Sequence, residues 1–166
     1  MTSNLFDLSN KVALITGSSK GIGRAIAEEM ARHGAKVVIS SRKADICEEV
    51  ANAINIELAG DASNSTGGAV AIPANISHKD ELQRLVDTTR AKLGKIDILI
   101  CNAAVNPYYG SMQDLPDEAF DKILGVNIKS NHWLVNMVLP EMKMRKDGSI
   151  IIVSSIGGLQ RGGQVQ

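Results

Sequence analysis

Apolar residues in this chain gather into short unbroken runs, and helically spaced stretches separate them. The runs include Val12-Ala13-Leu14-Ile15, Val37-Val38-Ile39, Ile98-Leu99-Ile100 and Ile150-Ile151-Ile152-Val153. Consecutive apolar positions over so short a length describe strands buried on both faces. The pattern predicts strands over 11–15, 36–40, 69–73, 97–100 and 149–153. Between them it predicts a helix over 21–33, with Ile22, Ala25, Ile26 and Met30 on one face and Gly34 as its stop. A second helix covers 45–58, and a third runs from Ser77 or Lys79 to Leu93. One long helix is predicted over 115–143, with Pro116 in its first turn. Phe120, Ile123, Leu124, Leu134 and Val138 mark its apolar face. Residues 60–68, rich in Gly, Ser, Asn and Asp, are expected to form a surface loop.

Strands apolar on both sides and alternating with helices imply a parallel sheet covered on both faces. Right-handed crossovers make the doubly wound α/β sheet, the Rossmann fold, the simplest arrangement. No internal repeat beyond the β-α alternation and no linker is seen, so the 166 residues suit one domain with a real core.

Composition narrows the function. Formal net charge is zero, which gives no sign of a nucleic-acid or membrane surface. The basic cluster Lys143, Arg145 and Lys146 falls at a predicted helix end, where cations complement the dipole and are expected to be solvated. Cys47 and Cys101 lack CxxC spacing and are expected to be reduced thiols. The N-terminus lacks a secretory pattern, and no apolar run approaches the ~20 residues of a membrane span. The expected location is cytoplasmic, so the glycosylation patterns at Asn64 and Asn75 are expected to be chance matches. His33, His78 and His132 have no ligand spacing, and no metal site is predicted.

The chemistry begins at Thr16-Gly17-Ser18-Ser19-Lys20-Gly21-Ile22-Gly23, between the first strand and the first helix. Gly17, Gly21 and Gly23 let the backbone turn sharply and approach a pyrophosphate. The N–H groups and dipole at the helix start then favour the anion. About 20 residues further on, an NAD-preferring fold of this kind places an acid against the ribose 2′-OH. Here Ser41 takes that place, Arg42 follows, and Lys20 adds a second cation. An arginine grips a 2′-phosphate that a carboxylate would repel, so these residues point to NADP(H). Asn127 falls on the apolar face of the long helix. A buried amide must find partners or cost ~1–3 kcal/mol. The amide is either a core group satisfied by backbone or a functional one. Ser154-Ser155 follows the last strand, and Gly157-Gly158 comes next. No His or Asp pattern makes either serine an acyl nucleophile.

The glycine loop, Cys101-Asn102-Ala103-Ala104, Asn127 and Ser154-Ser155 occur in the order of the short-chain dehydrogenase/reductase family, which the chain resembles throughout. The resemblance implies strand order 3-2-1-4-5 and a cofactor site that includes Ser19, Lys20 and Ile22 of the loop. Asn75 and Ile76 would lie near the adenine, and Asn102 and Ala103 near the cofactor's ribose side and the central sheet. It makes Asn127 the holder of a water in a proton relay, and Ser155 the hydrogen-bond donor to the substrate carbonyl. Ser41-Arg42-Lys43 and the segment 102–107 are similar to the NADP-dependent carbonyl and retinal reductase branch, with 3-oxoacyl-thioester reductases as the other branch. The implied substrate is a small carbonyl or alcohol, and the implied assembly a homo-oligomer, dimer or tetramer. The family's Tyr-x-x-x-Lys is missing from these 166 residues, since neither Tyr108 nor Tyr109 has a lysine four residues on. The family continues beyond the fifth strand, so that strand is expected to be a bare edge. Without the tyrosine and lysine the 166 residues are expected to be inactive alone, and a non-catalytic dinucleotide-binding module is the competing reading.

Overall fold

Alternation along each strand sends successive side chains to opposite faces of one sheet. In β1 (Val12–Thr16), Ala13 and Ile15 face one way and Leu14 the other. β2 (Lys36–Ser40) divides likewise, with Val37 and Ile39 opposed to Val38. A computed structural model describes residues 5–60, 66–158 and 164–165. The predicted loop at 60–68 lies largely outside the described residues, as does Asn64. β3 (Gly68–Ala71), β4 (Ile98–Cys101) and β5 (Ser149–Ile152) complete a five-stranded parallel sheet of order β3-β2-β1-β4-β5. This is the Rossmann arrangement, in the expected strand order.

Helices α1 (Gly21–Arg32) and α2 (Ala44–Ala59) supply the core on the Ala13–Ile15 face. Helices α3 (Lys79–Leu93) and α5 (Ser130–Arg145) supply the other. Leu14, Ile15, Ile39, Leu82, Leu85 and Leu99 are among the fully buried side chains. Each such burial contributes roughly 1.5–3 kcal/mol. Cys47 belongs to the first core and Cys101 to the second, so the sheet lies between the two free thiols.

Four expectations are corrected. In α1 the buried stripe is Gly23, Ala27 and Ala31, while Ile22 is 66% exposed. Small residues bring this helix close to the sheet, and the bulkier stripe beside them has the same period. The single long helix is two. α4 (Asp117–Leu124) and α5 are joined by a π turn, Gly125–Lys129, in which the Ser130 N–H bonds to the Gly125 carbonyl. The wider turn shifts the phase. The buried line runs through Val126, Ser130, Leu134, Val138 and Met142, while Phe120 and Leu124 are exposed. Pro116 is the N-cap of α4 and not a first-turn residue. The ring-fixed φ of −64° and the missing N–H would suit either place, but ψ of 145° is extended and leaves Pro116 outside the helix. Arg145 is not simply solvated. Its Nη2 donates to the Ile96 carbonyl at 2.8 Å and stands 3.6 Å from the buried carboxylate of Asp97.

The sheet has two different edges. At β3, the outward N–H and carbonyl of Ala69 meet the Asn55 side chain of α2. Asn55 Nδ2 donates to Ala69 O at 2.9 Å, and Ala69 N donates to Asn55 Oδ1 at 2.8 Å. At β5, Ile151 is 47% and Ile152 57% exposed, which matches the bare edge expected there. A two-residue antiparallel ribbon, Gly110–Ser111 with Gln164–Val165, lies apart from the main sheet.

Candidate active site

All five strands are parallel, so the loops that follow them gather at one end of the sheet. In open α/β sheets this end, outside the carboxyl ends of the strands, is where ligands bind. Residues 17–20, Ser41-Arg42, Asn75-Ile76, Asn102-Ala103 and Ser155 lie on these loops, and Gly21 to Gly23 open α1 directly after the first.

The glycine loop is held from behind by groups at the end of β4. Asn102 Nδ2 donates to the carbonyls of Thr16 (3.0 Å) and Gly17 (3.2 Å). The Thr16 hydroxyl oxygen accepts from the N–H groups of Asn102 and Ala103, both at 3.1 Å. The three glycines divide by role. Gly17 has φ +67°, and a Cβ there would stand 2.9 Å from Ala103 Cα. A Cβ on Gly23 would strike the Asn102 amide and come within 2.5 Å of the Gly17 carbonyl. Gly21 has φ +56°, and a Cβ there would meet nothing within 4 Å. The first two permit protein packing. The third leaves open space at the start of α1. No side chain caps that helix, and the first backbone bond there runs from Arg24 N to Lys20 O at 3.3 Å. Its leading N–H groups are thus available to an anion beside an open surface. These features fit a dinucleotide pyrophosphate.

Ser18, which the sequence did not single out, ties this loop to β2. It is fully buried. Its Oγ donates to Ile15 O at 2.7 Å and accepts from Ser40 N at 2.8 Å, and its N–H reaches Ser40 O at 3.2 Å. The only sequence signal was a small polar residue directly after an apolar strand. Just beyond Ser40, Ser41 is half-buried, and Arg42 and Lys43 are exposed. Among the described residues neither cation, nor Lys20, has an ion-pair partner. The next loop is fastened to this one by the Ala74 N–H on the Ser41 carbonyl at 3.1 Å. Asn75 uses its side-chain oxygen to accept from Ser77 N at 3.1 Å, and its own N–H donates to Glu81 Oε2 at 2.7 Å. Ile76 packs against the core on the α3 side.

Asn127 lies in the π turn and points its amide at the strip after β4. It donates to Val105 O and accepts from Val105 N, both at 2.9 Å. Both ends of the amide are thereby satisfied by backbone. Ser155 is exposed, and its Oγ accepts from Gly157 N at 3.1 Å. That bond occupies a lone pair and leaves the Ser155 proton free to donate elsewhere. Among the described residues no hydrogen bond joins Ser155 to Asn127. Burial pushes the Cys101 thiol up to about 11, so it stays neutral behind Asn102. No set of three or more His, Cys, Asp or Glu among the described residues is placed to hold a metal.

The model for "short chain dehydrogenase" matches residues 11–166. The chain belongs to the short-chain dehydrogenase/reductase family. It is therefore related to oxidoreductases built on a nicotinamide-cofactor fold. It is 46% identical over 149 residues to dehydrogenase/reductase SDR family member 4 from Bos taurus, covering 90% of this chain and 50% of that protein. The chain thus spans about half the length of the curated relatives it matches. Among solved structures it resembles a 7α-hydroxysteroid dehydrogenase complexed with NADH and 7-oxo glycochenodeoxycholic acid. That likeness has TM-score 0.85 and 33% identity, covering 98% of this chain and 60% of the other. A metagenomic short-chain oxidoreductase in complex with NADP matches with TM-score 0.82 and 31% identity, covering 94% and 67%. No helix among the described residues is long and apolar enough to cross a membrane.

Proposed function

We propose that this chain is the cofactor-binding part of an NADP(H)-dependent oxidoreductase that acts on a ketone or aldehyde. The observation that carries the cofactor choice is the end of β2. Arg42 and Lys43 are exposed there without an anionic partner among the described residues, Ser41 stands where an acid would exclude a 2′-phosphate, and Lys20 adds charge from the glycine loop. The relatives include proteins solved with NADH and with NADP, so the choice rests on these residues.

The nicotinamide, when bound, supplies or accepts the hydride. The chain's own residues prepare the site. The open backbone at Gly21 and the uncapped start of α1 hold the pyrophosphate. Arg42 and Lys20 attract the 2′-phosphate, and the Ser41 hydroxyl donates to it. Asn102 and Thr16 fix the loop, Ala103 lines its back, and Asn75 and Ile76 border the adenine side. Ser155, with its proton free, donates to the carbonyl oxygen. Asn127 acts as a positioning residue, because its amide holds the Val105 strip beside the site. Proton donation to the developing alkoxide is worth roughly 10²–10⁴-fold in rate, and neither serine hydroxyl is acidic enough at neutral pH to supply it. A polypeptide of these 166 residues alone is therefore expected to bind NADPH and to reduce no carbonyl at a useful rate.

Fluorescence titration with both cofactors tests the reading. NADPH is expected to bind at least ~10-fold more tightly than NADH, about 1.4 kcal/mol. Equal affinities, or tighter NADH, would overturn it. EDTA is expected to leave the NADPH affinity unchanged, and a loss restored by Zn²⁺ or Mg²⁺ would reveal a metal role.

A further inference from the structure

Cys47 is fully buried on the inner face of α2, and none of the roles above uses its thiol. It forms no disulfide, and Cys101 lies on the far side of the sheet. Its nearest polar neighbour is Ser41. Cys47 Sγ stands 3.1 Å from Ser41 Oγ, where either atom can donate, and 3.8 Å from the Ser41 carbonyl oxygen, to which the S–H can donate instead. The Lys43 N–H approaches the same hydroxyl oxygen at 3.4 Å.

A serine hydroxyl has one proton and two lone pairs, and a thiol has one proton. Two arrangements are open to the pair. In one, the S–H turns to the Ser41 carbonyl while the Ser41 hydroxyl donates to sulfur and turns a lone pair outward. In the other, sulfur donates to Ser41 and the serine proton turns outward. A phosphate oxygen only accepts, so it repels the first arrangement and is bound by the second. We infer that Cys47 is a positioning residue for cofactor discrimination. Its S–H donates to Ser41 Oγ, Lys43 N–H occupies the other lone pair, and the Ser41 O–H is aimed at the 2′-phosphate. This deepens the NADP(H) reading and rests on it. NADH carries a 2′-hydroxyl in place of the phosphate, which can accept or donate and so pairs with either arrangement; its binding depends less on which one is held.

The test compares Kd for NADPH and NADH in the protein and in Cys47→Val, Cys47→Ser and Ser41→Ala. Valine keeps a similar bulk and removes the donor, and serine keeps a donor. Cys47→Val is expected to lower the NADPH preference roughly 3- to 10-fold, the range of one lost hydrogen bond. Cys47→Ser is expected to keep it. Adding Cys47→Val to Ser41→Ala is expected to change the preference no further. A loss of packing alone would weaken both cofactors together and leave the ratio intact. A cofactor-free readout accompanies this: the infrared S–H stretch of Cys47, assigned by its loss in Cys47→Ser, is expected to move in Ser41→Ala. An unchanged ratio in Cys47→Val, or an equal drop in Cys47→Ser, overturns this inference while the cofactor reading stands. A parent protein without NADPH preference overturns both.

Discussion

Arg42 carries a full charge at the mouth of the cradle, and its removal is the most direct probe of that charge. Arg42→Ala is expected to weaken NADPH at least ~10-fold while NADH stays within about twofold, read by fluorescence titration. Added salt is expected to narrow the gap, because an exposed cation is screened. At Gly23 the constraint is steric. Gly23→Ala drives a methyl into Asn102 and the Gly17 carbonyl. It is expected to destabilise the fold by roughly 1–3 kcal/mol, seen as a lower Tm and weaker binding of both cofactors. Cys101 supplies a pH dependence. Burial lifts its folded pKa from 9.0 to about 11, so the folded state holds this proton more tightly than the unfolded chain. The resulting stability is fully present below pH 9 and is lost as pH rises toward about 11. Urea melts across that window are expected to show a steeper decline in the parent than in Cys101→Ala, in which the raised pKa of Lys11, held by its hydrogen bond to Asp147, still contributes at the upper end. The sequence exposed Gly17, Gly21, Gly23, Ser41 and Arg42 because each breaks a local pattern. It hid Ser18, Thr16 and Cys47, whose importance comes from partners brought close only by folding.

Elements were legible where periodicity and punctuation agreed. β2 fell where its apolar run placed it, and α1 ended before Gly34, which adopts φ +94°. The π turn was not legible, since hydropathy reports a face and says nothing of which carbonyl each N–H selects. Asn55 was also silent, because an asparagine within a helix looks like any surface polar residue. Its task is visible only beside β3, where it satisfies both outward groups of Ala69. Asn55→Ala is expected to cost roughly 1–3 kcal/mol for the groups left unsatisfied. It also opens a strand edge to pairing with other chains. Urea denaturation and light scattering are expected to report lower stability and faster aggregation. Asn55→Leu, with similar bulk, is expected to behave the same way if hydrogen bonding and not packing protects the edge.

At the scale of the molecule the two sheet edges contrast, one occupied by a helix side chain and the other presenting Ile151 and Ile152. Exposed apolar side chains at an unpaired strand invite association. We propose that copies of this polypeptide associate, so size-exclusion chromatography at micromolar concentration is expected to show species above 17.7 kDa. Ile152→Lys is expected to shift them toward the monomer. The linkage at the other end of the sheet has a different reach. Thr16 and Asn102 join the loop after β1 to the strip after β4, and Val105 carries that strip to Asn127 in the π turn. These bonds hold the cradle without a nucleotide, so binding is expected to order little further backbone. Calorimetry of NADPH binding is expected to show only a modest entropic penalty in the parent. Thr16→Ala, which removes the two bonds to the Thr16 hydroxyl and leaves those from the Asn102 amide to the backbone, is expected to make that penalty larger, so that ordering becomes part of the binding event.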